Sequence, residues 1–169
     1  MKKIFMHYWR IISYLLVNHV FAGPNPHFFR IKRWLLRSIG FKIGENTKIV
    51  APFYSTGEVE IGSNCWIGAN FVVRGLGKVV LGNNIDVGPD TTYITGTHYI
   101  GDKKRRAGTG YNTIITIGNG CWLGAKSVFV NNITIGESCV IAASACVCKD
   151  IPNDKMVGGV PARIIKELD

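Results

Sequence analysis

An aliphatic residue followed by a small one recurs every six positions along most of this chain, a period that does not match a helix. Ile61-Gly62, Ile67-Gly68 and Val73 form one series, with Ile43-Gly44 and Ile49 in phase before it. Leu81-Gly82 and Val87-Gly88 form a second, shifted by two residues. Ile117-Gly118, Leu123-Gly124, Phe129, Ile135-Gly136, Ile141-Ala142 and Val147 form a third, unbroken. The fifth position of each hexad is mostly small or β-branched: Thr47, Cys65, Ile85, Thr91, Cys121, Ser127, Ile133, Cys139, Ala145. A helical repeat of 3.6 cannot hold this pattern to one face, and Gly, Asn and β-branched residues suit helices poorly. Each hexad instead predicts one short flat strand and one turn, with three hexads to a coil. The aliphatic points to the axis, the small fifth residue packs beside it, and Gly or Asn supplies the positive φ of a tight corner. Coil upon coil, the backbones form parallel ladders around a continuous core.

Composition agrees with one such domain. The chain has 169 residues and is 47% hydrophobic, which excludes a disordered chain despite its 20 glycines. Five cysteines cannot all pair. Cys65, Cys121 and Cys139 fall at the small inward position, and Cys146 and Cys148 are too close in an extended chain to bridge comfortably. Free thiols and a reducing cytoplasm are expected. The net charge of +9 is uneven: residues 1–42 hold eight basic residues and no acid, whereas residues 43–169 are nearly neutral.

That basic segment, 1–42, reads as two helices, Ile4 to Phe21 and Phe28 to Ile39, split by Gly23-Pro24-Asn25-Pro26. Only twelve residues separate Arg10 from the Gly-Pro break, too few to cross a bilayer, and no signal-peptide cleavage site follows. The second helix places Phe28, Ile31, Leu35 and Ile39 near one face and Arg30, Arg33 and Arg37 on another. Two readings stand: the helices cap the open end of the coil stack, or they lie on the anionic inner surface of a membrane. Nucleic acid is not expected, because no groove-reading motif accompanies the charge.

The run Ile117-Gly-Asn-Gly-Cys-Trp-Leu-Gly-Ala125, then Ile135-Gly-Glu-Ser, Lys149-Asp-Ile-Pro and Gly158-Gly-Val-Pro-Ala-Arg163 resembles the hexapeptide-repeat acetyltransferases. The match is closest to their maltose, galactoside and capsular-polysaccharide O-acetyltransferase branch. The resemblance implies an all-β left-handed parallel β-helix over 43–169, a loop excursion over 99–113, a short C-terminal helix over 161–168, and a homotrimer with sites between subunits. It also implies transfer of acetyl from acetyl-CoA to a saccharide hydroxyl, on a capsular or exopolysaccharide unit, in the cytoplasm.

His98 is the only histidine of the repeat body, at the point where Thr95-Gly96-Thr97 breaks the hexads. In similar enzymes a histidine after such a turn, 24 residues before a Trp-aliphatic-Gly run, is the general base; His98 and Trp122 have that spacing. One histidine cannot build a zinc site, so no metal is expected. The resemblance assigns the coenzyme groove to Trp122, Ala125, Ala142, Ala143, Cys148, Lys149, Arg163 and Lys166, the cations meeting phosphates. Here Ala142-Ala143-Ser144-Ala145 stands where the family has Gly-Ala-Gly-Ser, and Cys148 replaces its threonine. Asn70 and Asn84 are candidates for orienting the acceptor, and Asp86 or Asp90 for orienting His98. The basic loop Gly101 to Arg106, with Arg105 and Arg106, is either solvated or a lid over an anionic ligand. An amino-sugar or serine N- or O-acetyltransferase and a non-catalytic β-helical scaffold are the rivals, the scaffold having no need of His98 or of the Lys149 and Arg163 pair.

Overall fold

The hexads close into a three-sided prism of about six coils. A computed structural model describes residues 2–169, with side chains from Ile4 onward; Met1 and the side chains of Lys2 and Lys3, members of the basic segment, lie outside the described residues. Face 1 stacks Lys42–Ile43, Glu58–Ile61, Lys78–Leu81, Ile114–Ile117 and Ile133–Ile135. Face 2 stacks Lys48–Ile49, Trp66–Ile67, Asp86–Val87, Trp122–Leu123, Val140–Ile141 and Lys155–Gly158. Face 3 stacks Phe53–Ser55, Phe71–Arg74, Thr92–Ile94, Val128–Val130 and Cys146–Val147. Each strand pairs in parallel with the one a coil away, so Ile43, Ile61, Leu81, Ile117 and Ile135 form one inward column. The hexad phase assigns the core correctly: these aliphatics and all nine small fifth-position residues are buried. On face 3 the inward column is aromatic. Phe53, Phe71, Tyr93 and Phe129 lie 4.7–4.9 Å apart between successive ring centres, which is the rise of one coil.

The corners turn in the left-handed region. Asn46, Asn64, Asn84, Gly120, Ser138 and Asp154 do so between faces 1 and 2; Asn70, Asp90, Lys126 and Ser144 do so between faces 2 and 3. The two-residue shift in the pattern is an enlarged corner, Gly75 to Gly77, between faces 3 and 1. One coil later the same corner emits the segment expected to be a loop over 99–113. It is an antiparallel hairpin, Gly96–Ile100 with Ala107–Asn112, hereafter the arm. Thr113 N–H donates to the Thr95 carbonyl at 2.7 Å and closes the arm's base, so the coil resumes in register.

Both ends of the prism are covered. Helix α1 (Lys2–Leu15), extended by a wider turn through Val20, and helix α2 (Phe29–Ser38) cap the first coil. Val17, Leu35, Leu36, Ile39 and Phe41 plug its axis. Its orphaned edge groups take side-chain partners: Arg37 Nε donates to Ile43 O, Arg33 to Thr47 O and Tyr14 Oη to Ser55 O. Asn18 donates to Phe53 O and accepts from Phe53 N–H, as a preceding strand would. The capping reading thus holds, with a change of detail: α2 buries Phe29, Lys32, Leu35 and Leu36, while Ile31 is partly exposed. At the far end the expected helix over 161–168 is a strand. Arg163–Glu167 runs antiparallel to Lys155–Gly158, because the open edge of the last face-2 strand offers ladder hydrogen bonds that a helix would leave unmade.

Coil contact is tightest at the glycines after the inward aliphatics. A Cβ on Gly68 would lie 2.7 Å from the Gly88 carbonyl carbon and Pro89 nitrogen, both backbone atoms that cannot move aside. We expect Gly68→Ala to cost about 1–3 kcal/mol in denaturant unfolding at fixed protein concentration. Lys32 gives a second expectation. Its Nζ is fully buried, donates to Gly23 O at 2.7 Å and lies over the Phe29 ring; burial lowers its pKa to about 8. Between that value and the ordinary 10.5 the unfolded chain holds a proton that the folded chain does not, so this group makes stability rise with pH. Relative to Lys32→Met, the wild type should gain stability from pH 8 to 10.5, as read by parallel denaturation series.

Candidate active site

His98 lies on the first strand of the arm with its ring exposed, opposite Gly110. Its Nδ1 is 2.8 Å from the Gly108 carbonyl oxygen. A carbonyl only accepts, so Nδ1 carries the hydrogen, and in the neutral ring Nε2 keeps its lone pair. The orienting partner is therefore backbone. Asp86 sits on face 2 between Trp66 and Trp122, and Asp90 accepts from the Asn70 amide at 2.7 Å; neither carboxylate touches His98. Tyr99 and Tyr111 stack across the arm at 4.3 Å and stiffen it. At the tip, Asp102 accepts from the backbone of Lys104 and Arg105, folding the turn that presents Arg105 and Arg106 to solvent.

A separate groove of about 450 Å³ runs along the corner between faces 2 and 3. Trp122, Ala125, Ala142 and Ala143 line it, as expected, together with Pro89, Val140 and Met156. These last residues were not anticipated, although hexad phase contains them: Val140 pairs with Met156, and Gly88 stacks under Ala125. The methyl at Ala142, where the family has glycine, is accommodated because Gly158 lies on the next coil; a Cβ there would approach Ala142 Cβ to 3.1 Å. The floor is therefore apolar.

The remaining positions fall into two sets. Arg163 and Lys166 are exposed on the terminal strand that adds to face 2 above the groove. Cys148 and Lys149 follow the last face-3 strand, at the corner that also carries the arm. Among the described residues none of Lys149, Arg163, Lys166, Arg105 and Arg106 is in an ion pair, leaving five cations available to an anion. Within one chain, then, His98, Cys148 and Lys149 share one corner, and Trp122, Ala125, Ala142 and Ala143 share another. Asn70 and Asn84 are corner residues at φ 59° and 56°, on columns other than the arm's, so the chain does not bring them to its own His98. The buried thiols face inward, and burial pushes Cys121 up to about 12 and raises Cys65, which keeps both protonated and unreactive.

The profile described as Bacterial transferase hexapeptide (six repeats) matches residues 114–149. Galactoside O-acetyltransferase of Escherichia coli is 32% identical over 151 residues, 88% of this chain and 74% of that protein. Putative colanic acid biosynthesis acetyltransferase WcaF of Escherichia coli is 30% identical over 154 residues, 88% of this chain and 81% of that one. Among solved structures, a hexapeptide-repeat-containing acetyltransferase of Vibrio cholerae complexed with acetyl coenzyme A superimposes with a TM-score of 0.82 at 26% identity, covering 97% of this chain and 87% of that one. With the coil stack, the groove and the arm histidine in place, this chain belongs to the hexapeptide-repeat acetyltransferases, on their left-handed parallel β-helix, and is an acetyl-CoA-dependent acetyltransferase of the galactoside O-acetyltransferase type.

Proposed function

We propose that the chain moves acetyl from acetyl-CoA to a hydroxyl of a saccharide, with His98 as general base, in sites shared between copies of a homotrimer. The observation that carries this reading is the character of face 3, which separates the arm corner from the groove corner. Its outward side chains are, apart from Arg74, uncharged: Tyr54, Val72, Thr92, Ile94, Val128, Val130 and Cys146. Face 1, by contrast, carries Lys42, Glu58, Glu60 and Lys78, with Glu60 bridging both lysines, as a solvated face does. Packing face 3 about a threefold axis buries the apolar face and sets each arm corner beside a neighbour's groove corner. His98, Cys148 and Lys149 of one copy then meet Trp122, Ala125, Ala142 and Ala143 of the next.

In such a site the pantetheine lies on the alanine floor and the phosphates meet Lys149, Arg163, Lys166 and the arm-tip arginines. The acceptor oxygen attacks the thioester carbonyl carbon while its proton passes to His98 Nε2. The C–S bond then breaks, and the imidazolium returns that proton to the departing thiolate sulfur. The Gly108 carbonyl, by holding Nδ1–H, stabilises the imidazolium between the two transfers. No acyl-enzyme is needed, since the acceptor oxygen attacks the thioester directly. The relatives whose names give galactoside and colanic acid support a saccharide acceptor. Five free cysteines suit a reducing compartment such as the cytoplasm.

His98→Ala should lower kcat toward galactoside or oligosaccharide acceptors by roughly 10²–10⁴-fold, with acetyl-CoA affinity by calorimetry essentially unchanged. Lys149→Ala/Arg163→Ala should instead weaken that affinity. Full transfer by His98→Ala would remove the base role, and absence of saturable acetyl-CoA binding by the wild type would remove the donor.

A further inference from the structure

Helix α1 has two apolar faces, and only one of them is used by the cap. Ser13, Tyr14 and Val17 face the prism, with Trp9 donating to Ser38 Oγ of α2 at 2.8 Å. On the opposite side Ile4, Phe5, Tyr8, Ile11, Ile12 and Leu15 project outward, each 45–66% exposed. Their spacing (4, 8, 11, 15 with 5 and 12 beside) is that of one continuous helical stripe. Trp34 of α2, 59% exposed and edge-on to Trp9 at 6.1 Å, extends the stripe sideways. Beside Trp34, Arg30, Arg33, Arg37 and Glu45 line one cleft, where Arg37 pairs with Glu45 at 2.9 Å and Arg30 is exposed. Leaving this much aliphatic and aromatic surface in water is unfavourable, so the stripe calls for a partner.

Charge decides which partner. Residues 1–42 hold eight basic residues and no acid; Lys32 is buried, and Arg37 and Lys42 are paired with Glu45 and Glu60, so Arg10, Arg30 and Arg33 are the described side chains of this segment outside any ion pair. A second copy of the same face would bring cations against cations, whereas an anionic lipid surface offsets them and takes up Ile, Phe, Tyr and Trp at the headgroup boundary. The helix lies on such a surface rather than crossing it: among the described residues no helix is long and apolar enough to span a membrane. We propose that the outer face of α1, with Trp34 and Arg30 at its rim, docks this chain on the surface of an anionic bilayer. The inner face caps the prism and the outer face holds lipid, so the two readings of the basic segment describe two sides of one helix. Where the threefold assembly proposed above forms, its symmetry sets three α1 helices at one end, and a single surface meets all three; the docking itself requires only one.

The test is flotation of the full chain with vesicles of phosphatidylcholine containing about a third phosphatidylglycerol, against vesicles of phosphatidylcholine alone. The wild type should float with the anionic vesicles, and far less so with the neutral ones or at high salt. Ile11→Asp/Leu15→Asp, and independently Phe5→Ser/Ile12→Ser, should lower partitioning by about tenfold or more at unchanged oligomeric mass and acetyl-CoA affinity. Arg30→Glu should weaken it less and reduce its salt dependence. Wild type that stays in the aqueous fraction, or variants that float as well as wild type, would overturn the proposal. Variants that lose oligomeric mass without lipid would also overturn it, by showing that another copy covers the face.

Discussion

Each coil of this chain must hydrogen-bond to the next at one fixed spacing, and that stacking dictates nearly everything else. Strand lengths of two to four residues leave little ladder per face, so the coils must sit in close contact at every corner and along every column. The aromatic rings of face 3 are spaced at the same interval as the backbones that carry them. Glycine is required where one backbone lies against another, and a methyl is tolerated at Ala142 because Gly158 lies on the coil that follows. The same ladder creates two open edges. Side chains of α1, α2 and the connecting turn satisfy the first, and a returned strand satisfies the second.

Much of this was legible because period six is a direct image of the prism. Inward columns, small fifth residues, inert thiols and Asn corners all follow from phase, and even the two-residue shift maps to one corner below the arm. What was not legible depended on edges and on backbone. Ala162 to Leu168 contains good helix formers, yet a vacant strand edge outweighed local propensity. The charged, glycine-rich segment after His98 offered no alternation to signal a hairpin. The partner of His98 is a carbonyl, which every residue has and no sequence can single out. Asn70 and Asn84 also serve positive φ at their corners, a backbone role that the residue type alone does not separate from ligand binding. The outer stripe of α1 was legible in its spacing of four, three and four, but its meaning required knowing which side of the helix the prism occupies.

Function emerges from separation rather than from proximity. The histidine and the groove sit at different corners of one prism with a largely uncharged face between them. In the trimer proposed above, a single chain would carry both halves of a site without completing one, and catalysis would then depend on assembly. The basic segment follows a similar economy, closing the core with one side of a helix and presenting the other side outward. Acceptors carried on lipid would meet an enzyme held at the same surface.

Subunit complementation tests the shared site most directly. One variant, His98→Ala, lacks the base and keeps the groove; another, Ala143→Trp, blocks the groove and keeps the base. Each alone should be nearly inactive. After unfolding, mixing in equal amounts and refolding, every mixed trimer should contain one interface pairing an intact His98 with an intact groove, restoring about a quarter of wild-type activity for random association. Mixed trimers, verified by mass, that remain as inactive as the parents would show that each site lies within one chain.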